Sequence, residues 1–193
     1  MRLFIALPLT SSVEKSLAVI INKLKSIGGK VKWVDSEQIH ITVRFLGETE
    51  KEQVSNIKEI LDRVSSKYDS YNLSIDRLGG FPNLNKPRVI WAGFNDDDQI
   101  SIMARMVKEV EYDIRKLGFE PDEKRFRPHL TLGRVKVPNG LEELLDTIRS
   151  FQMKPIPVKL DKLRLYKSTL TPQGPIYECL YEVMLGKQER FGE

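Results

Sequence analysis

The 193-residue chain carries 31 Lys and Arg against 27 Asp and Glu, a formal charge of +4, and is 40% hydrophobic and 30% charged. That length holds one domain or two closely packed lobes around a proper core, and the apolar content excludes a disordered chain. No apolar run approaches the ~20 residues of a spanning helix, and a single cysteine, Cys179, excludes an internal disulfide and a Cys-based zinc cluster, so a cytoplasmic, membrane-free protein is expected.

Residues 2–8 read as a buried strand rather than the core of a secretory leader, because Glu14 and Lys15 arrive before any cleavage-like segment. Ser11 and Ser12 are N-cap candidates for a helix with Val13, Leu17, Ile20, Ile21 and Leu24 on one face, ended by Gly28-Gly29. A short strand follows at 31–34 and a longer one at 38–46, closed by Gly47. Thr49 and Glu52 fit a capping box for a second helix that buries Val54, Ile57, Ile60, Leu61 and Val64. Strands at 72–78 and 88–94 flank a turn-rich connection. Asn95 to Asp98 then form an acidic start for a long helix closed by Gly118. A strand over 127–137, a helix over 141–151 and strands at 157–166 and 176–185 complete the pattern, the last two joined by a Thr/Pro/Gly-rich loop. A charged tail occupies 186–193.

The order strand, helix, strand, helix, strand thus occurs twice, over about 1–86 and 87–185. Arg2-Leu3-Phe4-Ile5-Ala6 matches Arg88-Val89-Ile90-Trp91-Ala92 at an offset of 86. Leu73 to Leu78 matches Val158 to Leu163 at 85, and His40-Ile41-Thr42-Val43 matches His129-Leu130-Thr131-Leu132 at 89. Three ordered matches at nearly one offset argue for a duplicated unit with an approximate two-fold axis.

The chain has two histidines and seven threonines, and a threonine stands two residues after each histidine. Chance placement does that with odds on the order of one in a thousand. On a strand, positions i and i+2 share a face, so His40 with Thr42, and His129 with Thr131, point one way while Ile41, Val43, Phe45, Leu130 and Leu132 point into the core. A two-fold brings the histidines to opposite walls of one cleft. That suits in-line displacement at phosphorus, with one imidazole taking a proton from water and the other protonating the departing oxygen. The threonine hydroxyls donate to non-bridging oxygens. Arg127, two residues before His129, offers a fork of donors to the same group, and Arg44 stands in the same relation to Thr42.

Other readings are weaker. No acid sits at ligand-like spacing from either histidine, which argues against a metal site. Gly28-Gly29-Lys30 lacks the upstream glycine and the following Ser or Thr of a phosphate loop. No nucleophile elbow supports a serine triad. Asp76 and Asp161 read as turn or strand-end residues, and Trp33, Trp91 and Phe45 as core. Tyr166, Tyr177 and Phe81 are candidates for a base-stacking platform.

These paired motifs, with the Arg2-Leu3-Phe4-Ile5-Ala6-Leu7 opening, the runs His40 to Gly47 and Arg127 to Arg134, and Leu165-Tyr166-Lys167-Ser168 with Gly174 and Tyr177, resemble the two-histidine phosphoesterases. The RNA 2',3'-cyclic phosphodiesterases, also called 2'-5' RNA ligases, are the branch they look like. The resemblance implies a bilobal α+β fold (LigT-like) with duplicated β-α-β-α-β units and antiparallel sheets around a central cleft. It implies hydrolysis of an RNA-terminal 2',3'-cyclic phosphate to a 2'-phosphate without metal or other cofactor, and an ATP-free 2'-5' joining reaction as its reverse. It also implies His40 as the acid for O3', His129 as the base for water, and Thr42, Thr131 and Arg127 as phosphate holders. The expected partner is RNA with a cyclic phosphate end or a cyclic nucleotide, met by a monomer. A sister enzyme acting on a small cyclic phosphate, and a module that binds RNA ends without turnover, remain alternatives.

Overall fold

Every position that helical spacing assigns to the inner face of the first helix is buried: Val13, Leu17, Ile20, Ile21 and Leu24. The computed structural model describes residues 1–186. The strands are β1 (Arg2–Pro8), β2 (Val31–Trp33), β3 (His40–Glu48), β4 (Tyr71–Phe81), β5 (Val89–Phe94), β6 (Leu130–Val135), β7 (Ile156–Leu160), β8 (Lys162–Thr171) and β9 (Gly174–Met184). The helices are α1 (Ser11–Ile27), α2 (Gln53–Ser65), α3 (Asp97–Lys116) and α4 (Glu142–Arg149). Among the described residues no helix is long and apolar enough to cross a membrane. Beyond Gly186, the charged tail lies outside the described residues.

Two antiparallel sheets form, ordered β3-β1-β8-β9 and β2-β6-β5-β4-β7. Helix α2 packs on the first sheet and α1 and α4 on the second, while α3 touches both, at β3 and at β4. Each sheet draws strands from both halves of the sequence. The first half gives β1 and β3 to one sheet and β2 and β4 to the other. The second half gives β8 and β9 to the first and β5, β6 and β7 to the second. The exchange is anchored where β4 meets β7, with Leu73 opposite Val158, Tyr71 opposite Leu160 and Ile75 opposite Ile156. At the repeat offset of 85, Leu73 and Val158 are also counterparts of each other, so a local two-fold passes between them.

The strand register corrects one expected match. In β1 the ladder to β3 slips between Ile5 and Ala6, and in β5 the ladder to β6 slips between Ile90 and Trp91. Ala6 faces Thr42 and Trp91 faces Thr131, so Ala6 corresponds to Trp91 and the offset of these strands is 85, not 86. A one-residue slip exchanges the two faces of a strand, which is why the distinction matters.

Each slip is a β-bulge at the residue after the threonine, Val43 in one unit and Leu132 in the other. A bulge adds one residue and reverses the inward and outward phase beyond it. Phe45, expected in the core, is therefore turned out and 58% exposed, while Arg44, expected beside Thr42, is buried at 8%. Arg44 bonds Glu111 of α3 and the carbonyls of Phe45 and Glu120, and Glu111 also accepts from the Asp122 backbone N–H at 2.9 Å. This cluster ties β3 to α3 and to the segment leading towards β6.

Local expectations fail where a side chain finds a better partner. Thr49 is buried and donates to the Gly47 carbonyl at 3.2 Å instead of capping α2, which begins at Gln53. Thr10, not Ser11 or Ser12, precedes α1, and its side chain makes no capping bond. The expected strand at 157–166 is two strands broken at Asp161, whose carbonyl accepts from the Leu185 N–H at 2.8 Å. The Thr/Pro/Gly-rich loop is instead the tight end of the β8–β9 hairpin, with Thr171 paired to Gly174. Gly28, at φ 114°, ends α1 as expected.

Removing one partner of a buried ion pair strands the other. Arg44→Ala is expected to lower unfolding free energy by roughly 3 kcal/mol in denaturant titration, and a loss within ~0.5 kcal/mol would contradict this account of the cluster.

Candidate active site

The segment before β3 is built to aim a carbonyl. Asp35 opens a one-turn 3-10 helix, Ser36–Gln38, its carboxylate accepting the Glu37 N–H at 3.1 Å and its carbonyl the Gln38 N–H at 2.9 Å. The Gln38 carbonyl then accepts from His40 Nδ1 at 2.7 Å. The second unit repeats this bond, His129 Nδ1 donating to the Arg127 carbonyl at 2.7 Å. A carbonyl only accepts, so each Nδ1 holds a proton and each neutral ring presents its lone pair at Nε2. The Nε2 of His40 lies 3.1 Å from Thr42 Oγ1.

His40, Thr42, His129 and Thr131 line one cavity of about 600 Å³. Its remaining walls explain what strict alternation hides. The bulges place Phe45 and Arg134, counterparts at the offset of 89, on the cavity side. Arg134 stands directly across from Lys32 on β2, and Lys136 lines the same wall, so three cations face one carboxylate, Asp35. The end of the β8–β9 hairpin, with Thr171 and Gly174 to Tyr177, supplies a further part of the lining. Among the described residues, no group of three or more His, Cys, Asp and Glu is placed to hold a metal ion.

The two imidazoles have different neighbours. His40 stacks on Phe4 at 4.9 Å between centroids and meets the edge of Tyr177 at 5.6 Å. Phe4, itself 2% exposed, also stacks on Tyr166 at 5.1 Å. His129 meets Phe81 edge to face at 4.9 Å. Burial pushes both imidazoles below their ordinary range, and the bonds to Gln38 and Arg127 oppose that shift. The charge of Arg134 depresses His129 further, whereas the added influence on His40 is His129 itself. Trp91 lies across from Thr131 beneath this wall. A Cβ on Gly79 would fall 2.3 Å from its ring, so glycine is required there for the ring to fit.

Sequence reasoning placed His40, Thr42, His129 and Thr131, and the structure brings all four together. Arg127 is exposed, precedes the start of β6 and is not among the cavity-lining residues; its carbonyl, not its guanidinium, meets His129. The shared-face argument requires strand geometry, which begins only at Leu130. Arg134, Lys32, Gln38 and Phe4 escaped notice. For Arg134 a signal existed, since Gly133 inside a strand marks a bulge. Of the stacking candidates, Tyr177 lines the cavity, Tyr166 lies behind Phe4 and Phe81 supports His129.

A duplicated antiparallel α+β fold with one imidazole and one threonine from each repeat at a shared cationic cavity defines a two-histidine phosphoesterase. Consistent with that class, the family model described as LigT like Phosphoesterase matches residues 7–91 and 96–177, and the chain belongs to this family. An RNA 2',3'-cyclic phosphodiesterase of Thermotoga maritima is 38% identical over 183 residues, covering 94% of each chain. One of Archaeoglobus fulgidus is 37% identical, covering 93% of this chain and 98% of the relative. The crystal structure of TT0787 of Thermus thermophilus superposes with a TM-score of 0.77 at 26% identity, covering 98% of this chain and all of that one.

With only two histidines, the ring protons are directly assignable. Nitrogen-15 NMR at pH 8 should show both rings as the Nδ1–H tautomer, and titration should place both midpoints below ~6.5. An Nε2–H tautomer at either ring would contradict the carbonyl bonds described above.

Proposed function

We propose that the chain hydrolyses 2',3'-cyclic phosphate at RNA ends to a 2'-phosphate, using the two histidines as an acid–base pair. The single observation that carries this is the matched orientation of the imidazoles: each is held at Nδ1 and lines the same cavity, leaving Nε2 for proton transfer. The names of the relatives at 37–38% identity support the substrate class.

Burial lowers the pKa of both imidazoles and does not separate them. The cation that lies near His129 and the aromatic face under His40 are the features on which His129 is assigned as the base. Its Nε2 takes a proton from water as the water oxygen bonds to phosphorus, in line with the P–O3' bond that breaks. His40 Nε2–H gives its proton to O3'. The π face of Phe4 accommodates the imidazolium that this role requires. Thr42, Thr131 and Arg134 hold the non-bridging oxygens and balance their developing charge. Arg134, on the cavity wall, takes the task first given to Arg127. With a 5'-hydroxyl in place of water, the same proton transfers yield a 2'-5' linkage without ATP.

The reading is tested with an oligoribonucleotide ending in a 2',3'-cyclic phosphate, incubated in EDTA. Wild type should give a 2'-phosphate, and His40→Ala and His129→Ala should each lose on the order of 10²–10⁴ in kcat. A 3'-phosphate product, or activity restored only by zinc, would overturn it. Turnover of small cyclic esters alone would move the substrate class.

The profile of kcat/KM against pH should be bell-shaped, since the base must be neutral and the acid protonated. Protonation of His129 removes activity on the acid side, and deprotonation of His40 removes it on the alkaline side. Both pKa values are depressed in the free protein, so the optimum should lie below pH ~6.5. The bound phosphodiester anion favours both imidazolium forms, so the kcat profile should move to higher pH. An optimum above pH 8 in kcat/KM would contradict this assignment.

A further inference from the structure

The two repeats treat the residue before their histidine differently. Gln38 and Arg127 are counterparts, each two positions upstream of a histidine and each supplying the carbonyl that holds Nδ1. The Arg127 side chain is exposed in a segment without regular structure. The Gln38 side chain is half-buried, and its Nε2 donates to the Pro175 carbonyl at 2.7 Å, near the turn of the β8–β9 hairpin. Both Gln38 and Pro175 line the cavity.

The end of the hairpin extends past its neighbouring strand. Strand β1 pairs with β8 only over Arg164 to Lys167, so the segment from Ser168 to Tyr177 extends beyond that ladder. Leu170 and Ile176 on it are exposed, and Tyr177 makes edge-to-face contacts with His40 and with Phe4. The turn that carries Gln38 is short, and its other bonds are internal, from the Asp35 carbonyl and carboxylate. Helix α1 packs against the turn, and the residue whose side chain holds the hairpin is the one whose carbonyl holds His40, so displacement of one bears on the other.

We propose that Gln38 is a positioning residue that fastens the overhanging β8–β9 hairpin to the His40 peptide turn and thereby fixes His40, but not His129, for proton transfer. The device breaks the two-fold symmetry of the site. The carbonyl that holds His40 belongs to a residue bonded to a distant element of the fold, whereas the carbonyl that holds His129 belongs to a residue with an exposed side chain, and Phe81 packs on that ring. Because the end of the same hairpin lines the cavity, occupancy of the cavity bears on the orientation of His40 through this bond. The inference rests on the acid–base reading above, although the bond itself is independent of the substrate.

The test uses Gln38→Ala and Gln38→Met, the second keeping side-chain bulk without the donor. Turnover is measured on a dinucleotide ending in a 2',3'-cyclic phosphate, and the Nδ1 protons of both histidines are observed by NMR without substrate. In both variants kcat should fall by about tenfold or more, a part of what a positioned acid contributes, while KM stays within about twofold, the two limits belonging to a group that acts on the chemical step. The Nδ1 proton of His40 should exchange faster with solvent while that of His129 is unchanged, and the thermal midpoint should hold to within a few degrees. Gln38→Glu, which sets a carboxylate against the Pro175 carbonyl, should be no better than Ala. Unchanged kcat, a rise in KM alone, or equal effects on both Nδ1 protons would overturn the proposal. Should wild type fail to turn over the cyclic phosphate, the acid–base reading fails, and the His40-selective change in proton exchange still decides for or against the clamp.

Discussion

The bond from each imidazole Nδ1 to the carbonyl two residues upstream is the constraint on which the site depends. It fixes the tautomer, sets the ring plane and leaves the neutral ring's lone pair at Nε2 in both repeats. Without it a histidine on a strand is free to rotate about χ1 and χ2, and a fixed relation between two such rings is lost. With it, the duplicated H-x-T segment becomes a device that can be used twice. The threonine follows on the same face, and the bulge after it swings a further residue, Phe45 or Arg134, onto the cavity wall.

The fold's task is to bring two copies of that device together, and strand exchange does this. Because β4 of the first half joins the sheet of β5 and β6, and β8 of the second half joins that of β1 and β3, the two halves of the sequence cannot separate without breaking ladders. The cavity lies between them and inherits their rigidity. Symmetry is then broken by neighbours rather than by the motif. His40 has the face of Phe4 and the latch through Gln38, whereas His129 has the edge of Phe81 and the charge of Arg134.

Sequence periodicity made much of this visible, because burial follows spacing in regular elements. The inner faces of α1 and α2 and the outward pairing of each histidine with its threonine were legible in that way. Phase beyond Thr42 and Thr131 was not, since a bulge belongs to a pair of strands and a single strand does not reveal it. Arg44 looked like a cleft residue for this reason and is instead bonded to Glu111, 67 positions away. The same holds for Phe4, an ordinary apolar residue of a buried strand until the fold sets it beneath His40. Arg127 is a different case: it lies outside the cavity lining, and the strand that would align its side chain begins three residues later.

The central claim is a single in-line displacement by water, with the imidazoles moving protons and never bonding to phosphorus. One diastereomer of a 2',3'-cyclic phosphorothioate, hydrolysed in oxygen-18 water, tests this directly through the configuration of the product. One displacement inverts phosphorus, so inversion is the predicted result. Retention would require two successive displacements through a phosphohistidine and would contradict the account.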